Sequence, residues 1–178
     1  MSAEPSIHRP FDTRRLGSEA VLERIVADPG ECRSIAAFLD ILGVDRLEAD
    51  LSIAPWGRSG VRIDGRLRAA VTQACVVTLD PVAQTIDQDF QLTFQPPQAR
   101  AADPRTVAEA EVIVHFDEDD PPDPLEGPLL DLGPLIVEQL SLALDPYPRS
   151  EGAVLAESKA EGDAIQSPFA ALSRLRDK

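Results

Sequence analysis

The residue types that most often carry catalysis are few in this sequence. Its two cysteines, Cys32 and Cys75, are far apart and outside any C-x-x-C spacing, so cysteine alone cannot form a zinc site. The two histidines, His8 and His115, each stand alone, and no nucleophile elbow, P-loop, dinucleotide fingerprint or zinc-protease motif occurs. The sequence therefore predicts a binding protein and not an enzyme, with no metal, no cofactor and no small-molecule substrate.

Four arginines form a basic pattern whose spacing suits a polyanion. Arg62, Arg66 and Arg68 share one face of a predicted strand, and Arg58 lies just before it. Side chains two positions apart on a strand lie about 7 Å apart, close to the phosphate spacing of an extended single strand. This face therefore either contacts RNA backbone or pairs with acids on neighbouring strands. The candidate acids are Asp87, Asp89 and Glu48.

The charge of the chain is unevenly distributed. The formal net charge is −14, yet residues 58–79 hold 4 bases and 1 acid, whereas residues 80–127 hold 12 acids and 2 bases. A mostly negative electrostatic field attracts basic partners and opposes broad contact with nucleic-acid phosphates. The acidic stretch 117–128 contains four prolines, which are incompatible with a calcium loop, so a solvated loop is predicted there.

Two segments have the pattern of amphipathic helices. Asp28, Pro29 and Glu31 form a helix start with a capping box, and apolar residues then recur at helical spacing up to a stop at Gly43. The second helix opens at Asp131 and ends at residues 145–148. Within its apolar stripe lies Gln139, whose amide either bonds to nearby backbone or faces a partner.

Alternation of apolar and polar residues predicts the strands. The stretch Gln73–Leu79 differs, because it is mostly apolar and predicts a strand covered on both faces. Two stretches before the first helix, 7–11 and 20–27, are further candidates. The alternating runs are Leu47–Ile53, Val61–Val71, Ile86–Phe94 and Val112–Phe116.

This order of elements predicts an α+β fold with a mostly antiparallel, curved or barrel-like sheet of about six strands and two packed helices. One domain is expected over residues 1–150, with mobile loops near 95–107 and 117–128. Residues 151–178 are expected to form a flexible tail, with or without a short docking helix at its end. No apolar run approaches the ~18 residues that span a bilayer, and the N-terminus has no signal-peptide core, so a cytoplasmic protein without membrane contact is expected.

Two stretches of the sequence resemble a known family. The first is Gly65-x-Leu67-x-Ala69-x-Val71-x-Gln73-x-Cys75 with the following Val-Val-Thr-Leu-Asp-Pro, and the second runs from Asp131-Leu132-Gly133-Pro134 through Glu138-Gln139-Leu140 to Asp145-Pro146-Tyr147-Pro148-Arg149. Together they are similar to the YceD family, bacterial and plant-organelle proteins linked to accumulation of large-subunit ribosomal RNA. The resemblance covers roughly residues 10–153.

The resemblance implies a non-catalytic accessory role in accumulation or assembly of large-subunit ribosomal RNA. The implied partner is that RNA, a large-subunit ribosomal protein or a pre-ribosomal particle; the alternative function is an acidic binding module or chaperone for a basic ribosomal protein. Many relatives carry further cysteines that look like a metal site, which this chain lacks. The motif residues are therefore expected to determine the fold: Gln73, Cys75, Asp131, Gly133, Pro134, Glu138, Gln139, Tyr147 and Arg149.

Overall fold

The computed structural model describes residues 7–57, 59–97 and 122–154 of the chain. Long strands dominate this part, and the two helices are short. A single 3-10 turn, Thr13–Arg15, follows the first strand. In chain order the elements are β1 Pro10–Asp12, β2 Val21–Val26, α1 Pro29–Phe38, β3 Gly43–Trp56, β4 Gly60–Ala74, β5 Pro81–Gln95, β6 Asp123–Pro124, β7 Leu129–Asp131 and α2 Leu132–Ala143.

The strands form two sheets, which confirms the α+β class. Strands β2 to β6 make a five-stranded sheet in sequence order, and β1 pairs with β7 in a separate two-stranded sheet. The pairings β2–β3, β3–β4 and β4–β5 are antiparallel, whereas β6 runs parallel to β5. The prediction of a mostly antiparallel, barrel-like sheet is therefore wrong for the described residues, where the sheet is mixed and does not close. The parallel pairing arises because β6 comes from a distant segment and not from a hairpin.

Helix α1 begins as the sequence predicts. The Asp28 carboxylate accepts hydrogen bonds from the backbone N–H groups of Gly30 and Glu31, and the Glu31 carboxylate accepts one from Asp28 N–H, which completes a capping box. The helix ends at Phe38, earlier than the predicted stop at Gly43. The reason is Asp40, whose backbone enters the left-handed region with φ of 53°.

The apolar stretch after β4 is a turn and not the predicted strand. β4 ends at Ala74, and Leu79 N–H donates to the Cys75 carbonyl across the turn. The turn forms because Cys75 Sγ accepts hydrogen bonds from the backbone N–H groups of Val77 and Thr78. In a strand, these N–H groups would instead donate to a neighbouring strand. Val76, predicted to be covered, is 48% exposed.

One face of the large sheet forms the core, and both helices cover it. Along β3 and β4 the inward side chains alternate with polar ones, and α1 packs on β3 while α2 packs on β4 and β5. Gly65 on β4 lies directly beneath the Phe90 ring, where an alanine Cβ would lie 2.6 Å from a ring carbon. The largest fully buried side chains include Leu47, Ile53, Ile63, Leu67, Ile136 and Leu140.

Several predictions fall where no structure is described. The strand predicted at residues 112–116, with His115, lies outside the described residues, as do most of the first predicted loop, residues 117–121 of the second, and the tail after residue 154. Within the second predicted loop, Asp123 and Pro124 form β6. In the described part of the chain, no helix is long and apolar enough to cross a membrane.

Candidate functional site

The arginine face of β4 lies on the outer side of the sheet and consists of ion pairs. Arg66 contacts Asp87 at 2.7 Å and Asp89 at 4.0 Å on β5, and Arg68 contacts Asp50 on β3. Arg62 instead pairs along its own strand with Asp64, at 2.9 Å. The fourth predicted member, Arg58, lies outside the described residues.

Each described member of this arginine face is hydrogen-bonded; Arg66 is exposed, whereas Arg62 and Arg68 are half-buried. The hydrogen bond from Arg66 lowers the pKa of Asp87, and the bonds from Arg62 and Gln91 lower the pKa of Asp64. The face borders a groove of about 740 Å³ whose walls include Asp50, Asp64 and Asp89 as well as two arginines. Because each described arginine of this face is already paired with a carboxylate, a phosphate would have to displace that carboxylate to reach the guanidinium group.

Neutralising the arginine face is expected to change the affinity of the purified protein for single-stranded RNA by less than about twofold, because carboxylates already compensate these charges. The variant is Arg62→Gln with Arg66→Gln and Arg68→Gln. The measurement is a fluorescence-anisotropy titration with a labelled single-stranded oligouridylate at fixed salt. Arg14→Gln, which breaks an exposed pair with Asp12 elsewhere, is the control. A loss of affinity with the triple variant alone, at an unchanged circular dichroism spectrum, would show that this face contacts RNA.

The two motif stretches meet at one end of the molecule, which we call the motif corner: residues 73–80 and 145–150. Gln73 Nε2 donates to the Asp145 carbonyl at 3.0 Å, and Val76 N–H donates to the Pro148 carbonyl at 2.9 Å. Ser150 donates to Cys75 Sγ through both its N–H and its hydroxyl, each at 3.4 Å. The stretches are over 60 residues apart in sequence, so the motif corner exists only in the folded protein.

Cys75 is fully buried at the centre of the motif corner. Hydrogen bonds from Ser150 and Thr78 lower the pKa of its thiol to about 6, against the rise that burial alone would cause. The surrounding groups are donors to the sulfur and do not fit a metal site. In the described ranges no three His, Cys, Asp or Glu residues come together in a way that could hold a metal ion.

The Cys75 thiol makes stability depend on pH. Its folded-state pKa lies below the usual value of 9, so the thiolate stabilises the fold above pH 9 and this contribution is lost as the pH falls through about 6. We expect the free energy of unfolding to fall more between pH 9 and pH 6 in wild type than in Cys75→Ala, as measured by urea unfolding at several pH values.

The other cysteine provides the control for this experiment. Burial raises the pKa of the Cys32 thiol, and the neighbouring Asp28 and Glu31 raise it further. Cys32→Ala is therefore expected to keep the wild-type loss of stability between pH 9 and pH 6. If the free energy of unfolding changes with pH in the same way in wild type and in Cys75→Ala, the thiolate of Cys75 does not stabilise the fold.

The Asp131-Leu132-Gly133-Pro134 motif joins α2 to the N-terminal segment. Asp131 Oδ1 accepts hydrogen bonds from the N–H of Arg9, at 2.7 Å, and from the N–H of Gly133, at 3.1 Å, and its Oδ2 lies 2.8 Å from His8 Nδ1. Burial would raise the pKa of Asp131, but these hydrogen bonds outweigh it and lower the pKa. Pro134 occupies the first turn of the helix, where its missing N–H costs no hydrogen bond.

The remaining motif residues divide into buried and exposed ones. Gln139 is 8% exposed and lies on the buried side of α2. Glu138, Tyr147 and Arg149 are exposed, with Tyr147 at 72%. The predicted set therefore contains residues that fix the fold and residues that are available to a partner.

Sequence reasoning missed the contacts that complete these sites. It did not single out Ser150, Thr78 or the ion pair between Arg9 and Glu31, whose nearest atoms are 2.8 Å apart. It also missed that Asp40 and Asp145 line one cavity, although Asp145 stands within the quoted motif. The contacts of Ser150 with Cys75 and of Arg9 with Glu31 join segments distant in the chain, for which local patterns carry no signal. Thr78 lies only three residues from Cys75, and in its case the hydrogen bond to sulfur was the missed feature.

Comparison with known proteins supports the resemblance of the two motif stretches to the YceD family. The family model described as "Large ribosomal RNA subunit accumulation protein YceD" matches residues 63–176, more than half of the chain. Both motif stretches lie within the match, which begins after the N-terminal elements and extends into the predicted tail. No curated protein and no solved structure matches the chain. The chain belongs to the YceD family.

Proposed function

We propose that this protein is a non-catalytic accessory factor for accumulation of large-subunit ribosomal RNA. The observation that carries the proposal is the family match over residues 63–176, whose description names that process. Two of the described groups that could react are engaged in the fold, which supports binding over catalysis. Cys75 is fully buried, and His8 is held by the Asp131 carboxylate.

The proposal is tested by deleting the gene and measuring the ratio of large- to small-subunit ribosomal RNA together with the ribosomal subunit profile. We expect the large-subunit RNA to fall and to be restored when the gene is returned. An unchanged ratio and a normal subunit profile would remove the proposal. A purified protein that turns over a substrate, and loses this activity with one side-chain change, would instead remove its non-catalytic part.

A second candidate is an acidic binding module for a basic ribosomal protein. Its motivation is the imbalance of charges left over after ion pairing within residues 7–57, 59–97 and 122–154. In these ranges, 11 of the 19 acidic residues are not ion-paired with another described residue. Of the 10 arginines, only 4 are unpaired in this sense. The remaining surface charge is therefore mostly negative, which favours a cationic partner.

Affinity capture at low and raised salt distinguishes the two candidates. An acidic binding module recovers a basic protein, and the yield falls as salt screens the attraction. In the control, the material captured on resin-bound protein is treated with ribonuclease. A partner protein that binds directly stays on the resin, whereas one held through RNA is released. Recovery of RNA without protein would eliminate the second candidate.

A further inference from the structure

A cavity of about 360 Å³ opens beside the motif corner, where three elements end. Asp40 of the loop after α1 contributes one wall, and Gln73 at the end of β4 contributes another. The third wall comes from the C-terminal end of α2, through Ser141, Leu144 and Asp145. This cavity is separate from the groove beside the arginine face, with which it shares no lining residue.

Gln73 lines the cavity, and its side chain carries an unsatisfied acceptor. The residue is only 8% exposed, and its Nε2 is fixed by the hydrogen bond to the Asp145 carbonyl. This bond sets the orientation of the amide, so Oε1 is the free atom, and it has no hydrogen-bond partner among the described residues. Buried side-chain oxygens rarely lack a donor, so this oxygen is the acceptor that a donor group entering the cavity would satisfy.

The charge around the cavity selects a cationic donor. Asp40 and Asp145 are exposed carboxylates in its lining, and neither forms an ion pair with another described residue. One Asp145 oxygen accepts the Tyr147 N–H at 2.9 Å, which leaves the other oxygen available. The C-terminal end of α2 adds partial negative charge, and none of the described lysines, arginines or histidines lines the cavity to offset it.

Exposed apolar side chains flank the cavity and favour a protein partner over RNA. Val76 lines it and is 48% exposed; Leu42, next to the lining residue Ile41, is 58% exposed. Tyr147 lies between the lining residues Pro146 and Pro148 and is 72% exposed. Two carboxylates repel phosphate, whereas apolar and aromatic surface beside an acidic cavity suits the alkyl chain and charged end of lysine or arginine.

We propose that this cavity receives a lysine or arginine side chain from a basic protein partner. The inference rests on the proposed function, since it names the kind of partner through which the protein would support ribosomal RNA accumulation. The cationic group occupies the space between Asp40 and Asp145, and its N–H groups supply the donor that Gln73 Oε1 lacks. The flanking Leu42, Val76 and Tyr147 contact the residues next to that side chain.

The test is an NMR titration of the full chain with Nα-acetyl-lysinamide and Nα-acetyl-argininamide as probes. Saturable shifts are expected for the Gln73 side-chain amide and for the backbone amides of Asp40 and Asp145. Nα-acetyl-norleucinamide, which lacks the charge, and a single-stranded oligouridylate are expected to cause no shift at these signals. Equal shifts with norleucinamide, or oligouridylate shifts confined to the cavity, would overturn the proposal.

Variants then separate the cavity from general electrostatics. Asp40→Asn with Asp145→Asn is expected to weaken probe binding about fivefold, because each carboxylate contributes a modest, solvent-screened attraction. Glu19→Gln with Glu126→Gln removes the same charge from exposed sites away from the cavity and is expected to leave affinity unchanged. Gln73→Met, which removes the acceptor without a change of charge, is expected to weaken binding as well.

The outcomes of these variants decide the proposal independently of the cellular test. Equal weakening by the two double variants, or full affinity in Gln73→Met, overturns the cation site, and the amide spectrum of each variant reports whether it is folded. If gene deletion lowers the ribosomal RNA ratio while the probes fail to bind, the cavity inference alone fails. If the probes bind but deletion leaves the ratio unchanged, the proposed function fails and the cation site stands.

Discussion

Replacing Gly133 with alanine is expected to lower the free energy of unfolding by about 3 kcal/mol, at the upper end of the usual cost of overpacking. An added Cβ would collide with the carbonyl oxygen of Ile7 and lie 2.7 Å from its carbonyl carbon. Both are backbone atoms, so no side-chain rotation relieves the contact. The N-terminal segment and α2 must then separate, which breaks the hydrogen bond from Leu132 N–H to the Arg9 carbonyl.

Urea unfolding followed by circular dichroism measures this effect. Gly43→Ala is the matched control, because a Cβ at Gly43 meets nothing within 4 Å. Gly65→Ala is expected to cause an intermediate loss of stability, since the added Cβ would contact the Phe90 ring and not backbone atoms. Equal stabilities for Gly133→Ala and Gly43→Ala would show that the close approach of α2 to Ile7 is not required.

The features that sequence predicted correctly are local ones. The capping box of Asp28 and Glu31 spans four residues, and its hydrogen bonds form within that span. The alternation along β3, β4 and β5 also gave the correct inward face, since a strand places every second side chain on the same side. Both helices begin where the cap residues indicated, at Asp28 and Asp131.

Sequence missed one local turn and several features that depend on contacts between distant segments. Composition could not distinguish the turn at Cys75 from a buried strand, because Val76 and Val77 have high β propensity and the hydrogen bonds to sulfur are invisible in the pattern. The parallel pairing of β6 with β5 likewise depends on where a long excursion returns. The partner of each arginine was uncertain because it follows from the register between β4 and its neighbours, which alternation alone does not fix.

The motif corner extends this argument to function. Gln73 and Asp145 each have an ordinary sequence context, and the hydrogen bond between Gln73 Nε2 and the Asp145 carbonyl, with Oε1 left without a donor, exists only in the fold. A sequence can therefore identify the family and the motif residues, whereas the chemistry of a site between three element ends has to come from the structure.

Asp131→Ala is expected to lower the free energy of unfolding by about 2–3 kcal/mol, because the variant loses a helix cap and leaves a partly buried N–H without an acceptor. The cap is the bond from Gly133 N–H, and the second donor is Arg9 N–H, which anchors the N-terminal segment to α2. Asp28→Ala is the control: its carboxylate caps α1 only, so a smaller loss is expected.

Acid titration of the same variants tests the electrostatic part of this prediction. The folded-state pKa of Asp131 lies below the usual value of 3.8, so the carboxylate stabilises the fold at neutral pH and this contribution is lost as the pH falls through its folded pKa. The stability difference between wild type and Asp131→Ala should therefore narrow below about pH 4, near the usual pKa of a free aspartate. A difference that stays constant from pH 7 to pH 3 would mean that Asp131 acts by packing, and the join between α2 and the N-terminal segment would not depend on its charge.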